Sequence, residues 1–211
     1  MKDLVIFWGW TRNEKSYQGL INSAPKDWKV YPVSYEYLMP HGNLRVFKQN
    51  FLEYLKQNNL EKFYLMGHSL GGALALEFAY YYPEKVKELF LIDSEGVYEP
   101  QPIFQIIKNV FRQHPKYKNL PHHRWTSFRR ILRHPVLHTK LGYHAHNIDL
   151  QEEAKNLKVP TTIIWGEDDH LTPINQGQRL HQLISNSEFI SLANEGHDWI
   201  LYSPELFWQN I

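Results

Sequence analysis

The chain has 211 residues, 43% of them hydrophobic, a formal net charge of +1 and no cysteine. That length suits one well-buried domain with room for an insertion, and the lack of cysteine excludes disulfides, thiol catalysis and thiolate metal sites. No run of about 18 apolar residues is present, so no membrane span is expected, and the near-neutral charge argues against a nucleic-acid partner.

The first apolar run, Leu4–Phe7, follows the initial Met1-Lys2-Asp3 directly. No signal-peptide h-region or cleavage site precedes it, so a cytoplasmic protein is expected. Further β-rich runs are Val30–Ser34, Phe63–Met66, Leu89–Ile92, Thr161–Trp165 and Glu188–Leu192. Most are continuous rather than alternating, as in parallel strands covered on both faces. Helical patterns lie between them. Leu44, Phe47, Phe51 and Leu55 form one stripe, Gly72–Ala79 is rich in Ala and Leu, and Leu180, Leu183 and Ile184 end another stripe. Alternation of strand and helix predicts an α/β fold with about six mostly parallel strands flanked by helices.

One segment interrupts that alternation. From Gln101 to Ile148 there is no Asp or Glu, but there are nine cations: Lys108, Arg112, Lys116, Lys118, Arg124, Arg129, Arg130, Arg133 and Lys140. The rest of the chain then carries a net −8. The segment also holds seven of the twelve histidines. Ile103, Ile106, Ile107, Val110 and Phe111 predict one helix, and Trp125, Phe128, Ile131 and Leu132 a second. Five prolines keep these helices short. Residues 96–156 therefore read as a small helical insertion over the carboxyl edge of the sheet, with 1–95 and 157–211 forming the core.

Between the third strand and its helix stands Gly67-His68-Ser69-Leu70-Gly71. Serine is a poor nucleophile unless a turn presents it, a base takes its proton and donors receive the resulting charge. Glycines two residues to either side suit presentation, although a glycine-rich turn with a serine cap is the plainer alternative. His197, after the last strand, is the candidate base. His68 is rejected because adjacent side chains in a sharp turn diverge, and His170 is a weaker rival. Candidate acids are Glu167, Asp168 and Asp169 after the fifth strand, with Asp93 after the fourth as a rival position. A buried carboxylate against an imidazole N–H is what such a mechanism requires.

With Gly67-His68-Ser69-Leu70-Gly71-Gly72, Trp165-Gly166-x-x-Asp169-x-x-x-Pro173 and Gly196-His197 in place, the chain resembles the α/β-hydrolase superfamily over nearly its full length. The resemblance implies a nucleophile at Ser69, an acid at Asp169 and a base at His197, in the superfamily's chain order. It implies oxyanion-hole N–H groups at Leu70 and, from the loop after the first strand, Trp10. Trp8 stands where the superfamily usually has histidine. The chain starts at what resembles the superfamily's third strand, without the preceding hairpin, and the insertion resembles its helical cap.

The expected reaction is hydrolysis of a carboxylic ester or thioester, by acyl transfer to Ser69, with no metal or organic cofactor. The base is expected to titrate near its unperturbed pKa of about 6.5. The same triad would serve carbon–carbon hydrolysis or an elimination, and the same fold a ligand-binding protein. Epoxide and haloalkane chemistry is disfavoured because relatives performing it carry aspartate at the serine position. The basic insertion suits steering of an anionic small-molecule substrate, or a merely solvated cationic surface. Oligomeric state is not legible.

Overall fold

The computed structural model describes residues 1–97, 109, 116 and 124–211. Six strands run β1 (Lys2–Phe7), β2 (Trp28–Pro32), β3 (Phe63–His68), β4 (Val86–Ile92), β5 (Thr161–Gly166) and β6 (Ser187–Leu192). They form one sheet in the order β2-β1-β3-β4-β5-β6, and every neighbouring pair is parallel. Among the described residues the α-helices with defined bounds are α1 (Gln18–Asn22), α2 (Tyr35–Leu38), α3 (Phe47–Gln57), α4 (Leu70–Tyr81), α5 (Arg124–Arg133), α6 (Pro135–Asn147), α7 (Gln151–Lys155), α8 (Ile174–Leu183), α9 (Trp199–Tyr202) and α10 (Glu205–Gln209). None of the described helices is long and apolar enough to cross a membrane.

The continuous apolar strands are explained by cover on both faces. Successive residues of a strand point to opposite sides, and β3 shows it. Phe63 packs edge-on against Phe51 of α3 and close to Phe78 of α4. Its neighbour Tyr64 meets Trp28 and Phe90, and Phe90 meets Phe207 of α10. Phe7 at the end of β1 joins the first cluster, 4.7 Å from the Phe51 ring. The stripe of α3 buries Phe47, Phe51 and Leu55 as its spacing predicts.

One expectation shifts. The second strand is displaced toward the N-terminus, ending at Pro32 instead of Ser34. Ser34 caps α2 instead, its Oγ accepting the Tyr37 N–H at 3.2 Å, which is what serine does best at a helix start. The helix predicted from Trp125, Phe128, Ile131 and Leu132 is present as α5, with Phe128 and Leu132 50% and 64% exposed. Of the helix predicted around Ile103–Phe111 only Asn109 is described, and it is helical.

Between β4 and β5 the chain leaves the sheet and returns. The Leu150 N–H donates to the Gly96 carbonyl at 2.8 Å, which closes the base of this excursion. α5 and α6 lie within it.

Candidate active site

Because all six strands are parallel, the loops after β1, β3, β4, β5 and β6 emerge along one edge, where ligands bind in such sheets. Trp10, Ser69, Asp93, Asp169 and His197 all sit on these loops.

Ser69 occupies a sharp turn between β3 and α4 with φ 56° and ψ −125°. A non-glycine residue there is strained, and it persists only if its surroundings over-determine it. Three hydrogen bonds do so. The Ser69 N–H donates to the Ile92 carbonyl at 2.9 Å. The Ser69 carbonyl accepts from Gly72 N–H at 2.8 Å and from Glu95 N–H at 3.1 Å. The flanking glycines permit close backbone approach. A Cβ on Gly67 would fall 2.2 Å from the Gly71 carbonyl oxygen, and one on Gly71 would fall 2.3 Å from that of Phe7. The two glycines thus let the turn close and let α4 start against β1.

Asp169 is buried and its carboxylate accepts four hydrogen bonds. Oδ1 accepts the N–H groups of Leu171 at 2.7 Å and Thr172 at 3.0 Å. Oδ2 accepts the Thr172 hydroxyl at 2.6 Å and His197 Nδ1–H at 2.7 Å. The structure therefore brings Asp169 and His197 together. Glu167 and Asp168 are exposed, and Glu167 accepts from Ser191 instead. Asp93 is buried beside the pair, but its Oδ1 accepts the Gly166 N–H at 2.9 Å. Burial, with Asp169 close by, pushes the Asp93 carboxyl well above the ordinary carboxylate range. His170 is partly exposed in the same loop.

Burial disfavours a charged His197 ring, yet the Asp169 carboxylate overrides it and lifts the His197 pKa to about 9. The expected value near 6.5 is corrected upward. The bond to Nδ1 fixes the neutral tautomer with its lone pair on Nε2, as a general base needs. His68 is unsuited to that role. Its two ring nitrogens are engaged by the Tyr17 hydroxyl and the His197 carbonyl, and burial lowers its pKa to about 3.

Leu70 is the first residue of α4, and Trp10 lies in the turn after β1. That turn abuts the serine: a Cβ on Gly9 would sit 3.4 Å from Ser69 Cβ. Trp8 is buried, its ring 6.5 Å from Tyr17 and 6.0 Å from Tyr35, and its carbonyl accepts the Tyr35 hydroxyl. The same turn holds the β4–β5 excursion. Trp10 Nε1–H donates to the His138 carbonyl of α6 at 3.0 Å. Ser127 of α5 meets Thr11 Oγ1 at 2.9 Å and an Arg12 nitrogen at 3.1 Å. Arg12 in turn pairs with both oxygens of Asp198, at 2.9 and 3.0 Å.

Sequence reasoning missed Thr172, Tyr17, Arg12 and Asp198. Only Thr172 left a local signal, as a hydroxyl three residues after the acid, able to satisfy its carboxylate.

Comparison with known proteins agrees with this architecture. The family model described as the alpha/beta hydrolase fold matches residues 23–120. The uncharacterized hydrolase YugF of Bacillus subtilis is 28% identical, covering 83% of this chain and 72% of its own. The monoacylglycerol lipase ABHD6 of Mus musculus is 28% identical over 73% of this chain, and the chain spans 54% of it. Among solved structures, MGS-MChE2, an alpha/beta hydrolase enzyme from a lagoon-sediment metagenome of Mar Chica, Morocco, superposes with a TM-score of 0.71 at 23% identity, covering 99% of this chain and 87% of that one. Its six parallel strands and these matches show that the chain has the α/β-hydrolase fold.

Proposed function

We propose that the chain is a serine hydrolase that cleaves carboxylic esters, thioesters included, through an acyl-enzyme on Ser69. The observation that carries this reading is the Asp169–His197 hydrogen bond of 2.7 Å beside a strained serine turn. In the proposed reaction Ser69 Oγ attacks the ester carbonyl carbon and its proton passes to His197 Nε2. The developing oxyanion takes the N–H groups of Trp10 and Leu70, each strong donor being worth about 3–4 kcal/mol. His197 then gives the proton to the departing alkoxide or thiolate, leaving an ester on Ser69. A water molecule, deprotonated by His197, attacks that ester and releases the acid. Asp169 holds the ring in its tautomer and stabilises the imidazolium.

We further propose that residues 96–156 form a cap that sets substrate choice. Its cations are not all available to a substrate. Arg130 pairs with Glu36 and Lys116 with Glu195, both acids of the core.

Two measurements test the reading: labelling by a fluorophosphonate, and turnover of a panel of p-nitrophenyl esters and acyl thioesters. Ser69→Ala is expected to abolish both while its thermal melt stays in place. Wild-type turnover in that variant would remove Ser69 from the mechanism. Labelling without ester or thioester turnover would move the reaction to carbon–carbon hydrolysis or elimination, and absence of labelling would favour a binding protein.

A further inference from the structure

Three loops that the proposed reaction needs in register meet at a single buried pair of side chains. The His197 carbonyl can only accept, so the contact from His68 Nε2 at 2.9 Å requires a proton on Nε2. A neutral ring then has a bare Nδ1. The Tyr17 hydroxyl, 2.6 Å away, must donate to it. That leaves the Tyr17 oxygen free to accept, and it accepts the Gly9 N–H at 3.0 Å. One directed chain therefore runs from Gly9 N–H to Tyr17 O–H to His68 and on to the His197 carbonyl. Gly9 precedes Trp10 in the turn after β1, His68 precedes Ser69 in the nucleophile turn, and His197 carries the base. Burial keeps His68 neutral, with a pKa near 3, so the direction holds at neutral pH. Tyr17 is fully buried and its hydroxyl stays protonated, burial raising its pKa.

We propose that Tyr17 and His68 are positioning residues that lock the oxyanion turn and the His197 loop to the serine turn. The proposal rests on the serine-hydrolase reading for its catalytic consequence, but its geometric content stands without it. The alternative is that both side chains only fill the core.

Tyr17→Phe keeps the ring and deletes the link, and His68→Leu keeps bulk and deletes both bonds. In His68→Gln the amide can replace both, its N–H donating to the His197 carbonyl and its oxygen accepting from Tyr17. In wild type, NMR is expected to show a far-downfield His197 Nδ1–H resonance and a protected Gly9 amide. In Tyr17→Phe the Gly9 amide should lose protection. In His68→Leu the His197 resonance should shift or vanish, and His68→Gln should restore it. With a fluorophosphonate and p-nitrophenyl esters, Tyr17→Phe and His68→Leu should acylate about ten- to a hundredfold more slowly at unchanged KM, as small misplacements do, and His68→Gln should recover most of the rate. Unchanged Gly9 protection and an unchanged His197 resonance in both deletion variants would overturn the proposal. So would an effect that tracks global melting and is not rescued by His68→Gln. If wild type itself is not labelled, the serine-hydrolase reading fails, and the two resonances still decide the positioning role.

Discussion

Asp169 spends only one of its four accepted hydrogen bonds on His197. The other three fix the carboxylate before the base arrives, and Thr172 supplies two of them. Removing the charge while keeping the shape therefore separates orientation from electrostatics. Asp169→Asn is expected to lower kcat by about 10⁴, the loss seen when a triad histidine takes the wrong tautomer. It should also move the acid limb of kcat/KM. In the proposed reaction His197 can take a proton only when it is neutral. Its pKa is raised to about 9, so activity should climb from neutral pH toward pH 9. With the Asp169 charge gone, the limb should fall to lower pH. Other ionisable groups near the ring, among the described residues, are His68, lowered by burial to about 3, Asp93, raised by burial, Glu95, raised by burial to about 7, and Asp198, which Arg12 holds down to about 2 against the effect of burial. The same raised pKa has a consequence for folding. A group whose folded pKa lies above its unfolded value stabilises most below the unfolded value, about 6.5, and loses that contribution as pH rises through about 9. Optimal activity and this stabilisation thus pull in opposite directions, which paired pH–rate and pH–melting curves will show. Ser69 and His197 were legible in the sequence because each sits in a short local motif. Thr172 was within reach for the same reason. Tyr17 was not, because its meaning depends on a histidine 51 positions away.

The strand–turn–helix unit around Ser69 is specified by its own residues more fully than any other element. An apolar strand, two glycines and an Ala/Leu-rich helix announce it, and the structure adds only the reason each glycine is needed. Gly71→Ala puts a Cβ 2.3 Å from the Phe7 carbonyl oxygen. That neighbour is backbone and cannot step aside, so α4 would have to shift relative to β1. The cost should exceed the roughly 1–3 kcal/mol typical of overpacking, read as a lower denaturant midpoint together with lost labelling. By contrast β2 was misplaced by two residues. Val33 continues the apolar run from Val30, and the pattern alone does not show that the chain leaves the sheet after Pro32 so that Ser34 caps α2. α5 forms where its periodicity predicts it, but Phe128 and Leu132 face outward, because a helix outside the sheet layers has less core to face.

Across the whole molecule the charge is divided: nine cations and no acid from Gln101 to Ile148, and a net −8 elsewhere. The sequence offered two explanations, a substrate-steering surface or a solvated one. The Arg130–Glu36 and Lys116–Glu195 pairs add a third, attraction between cap and core. The three separate experimentally. If the charge mainly holds the cap down, Glu36→Gln should speed limited proteolysis within 98–148, raised salt should do the same, and KM for neutral and anionic esters should respond to salt alike. If it steers substrate, only the anionic esters should lose affinity with salt. If the surface is merely solvated, neither measurement should move.

The bonds from Trp10, Thr11 and Arg12 to α5 and α6 also bear on how such a domain can be recombined. The turn that would cradle the oxyanion is, mechanically, part of the inserted helices as much as of the sheet. A cap exchanged between relatives at its two chain junctions alone would arrive without its matching turn. Chimeras should work when residues 8–12 travel with the new helices and fail when they stay behind. Over evolutionary time, substitutions at 11 and 12 should be matched by changes at 127, and those at 10 by changes at 142, where a Cβ on Gly142 would come 3.1 Å from the Trp10 ring.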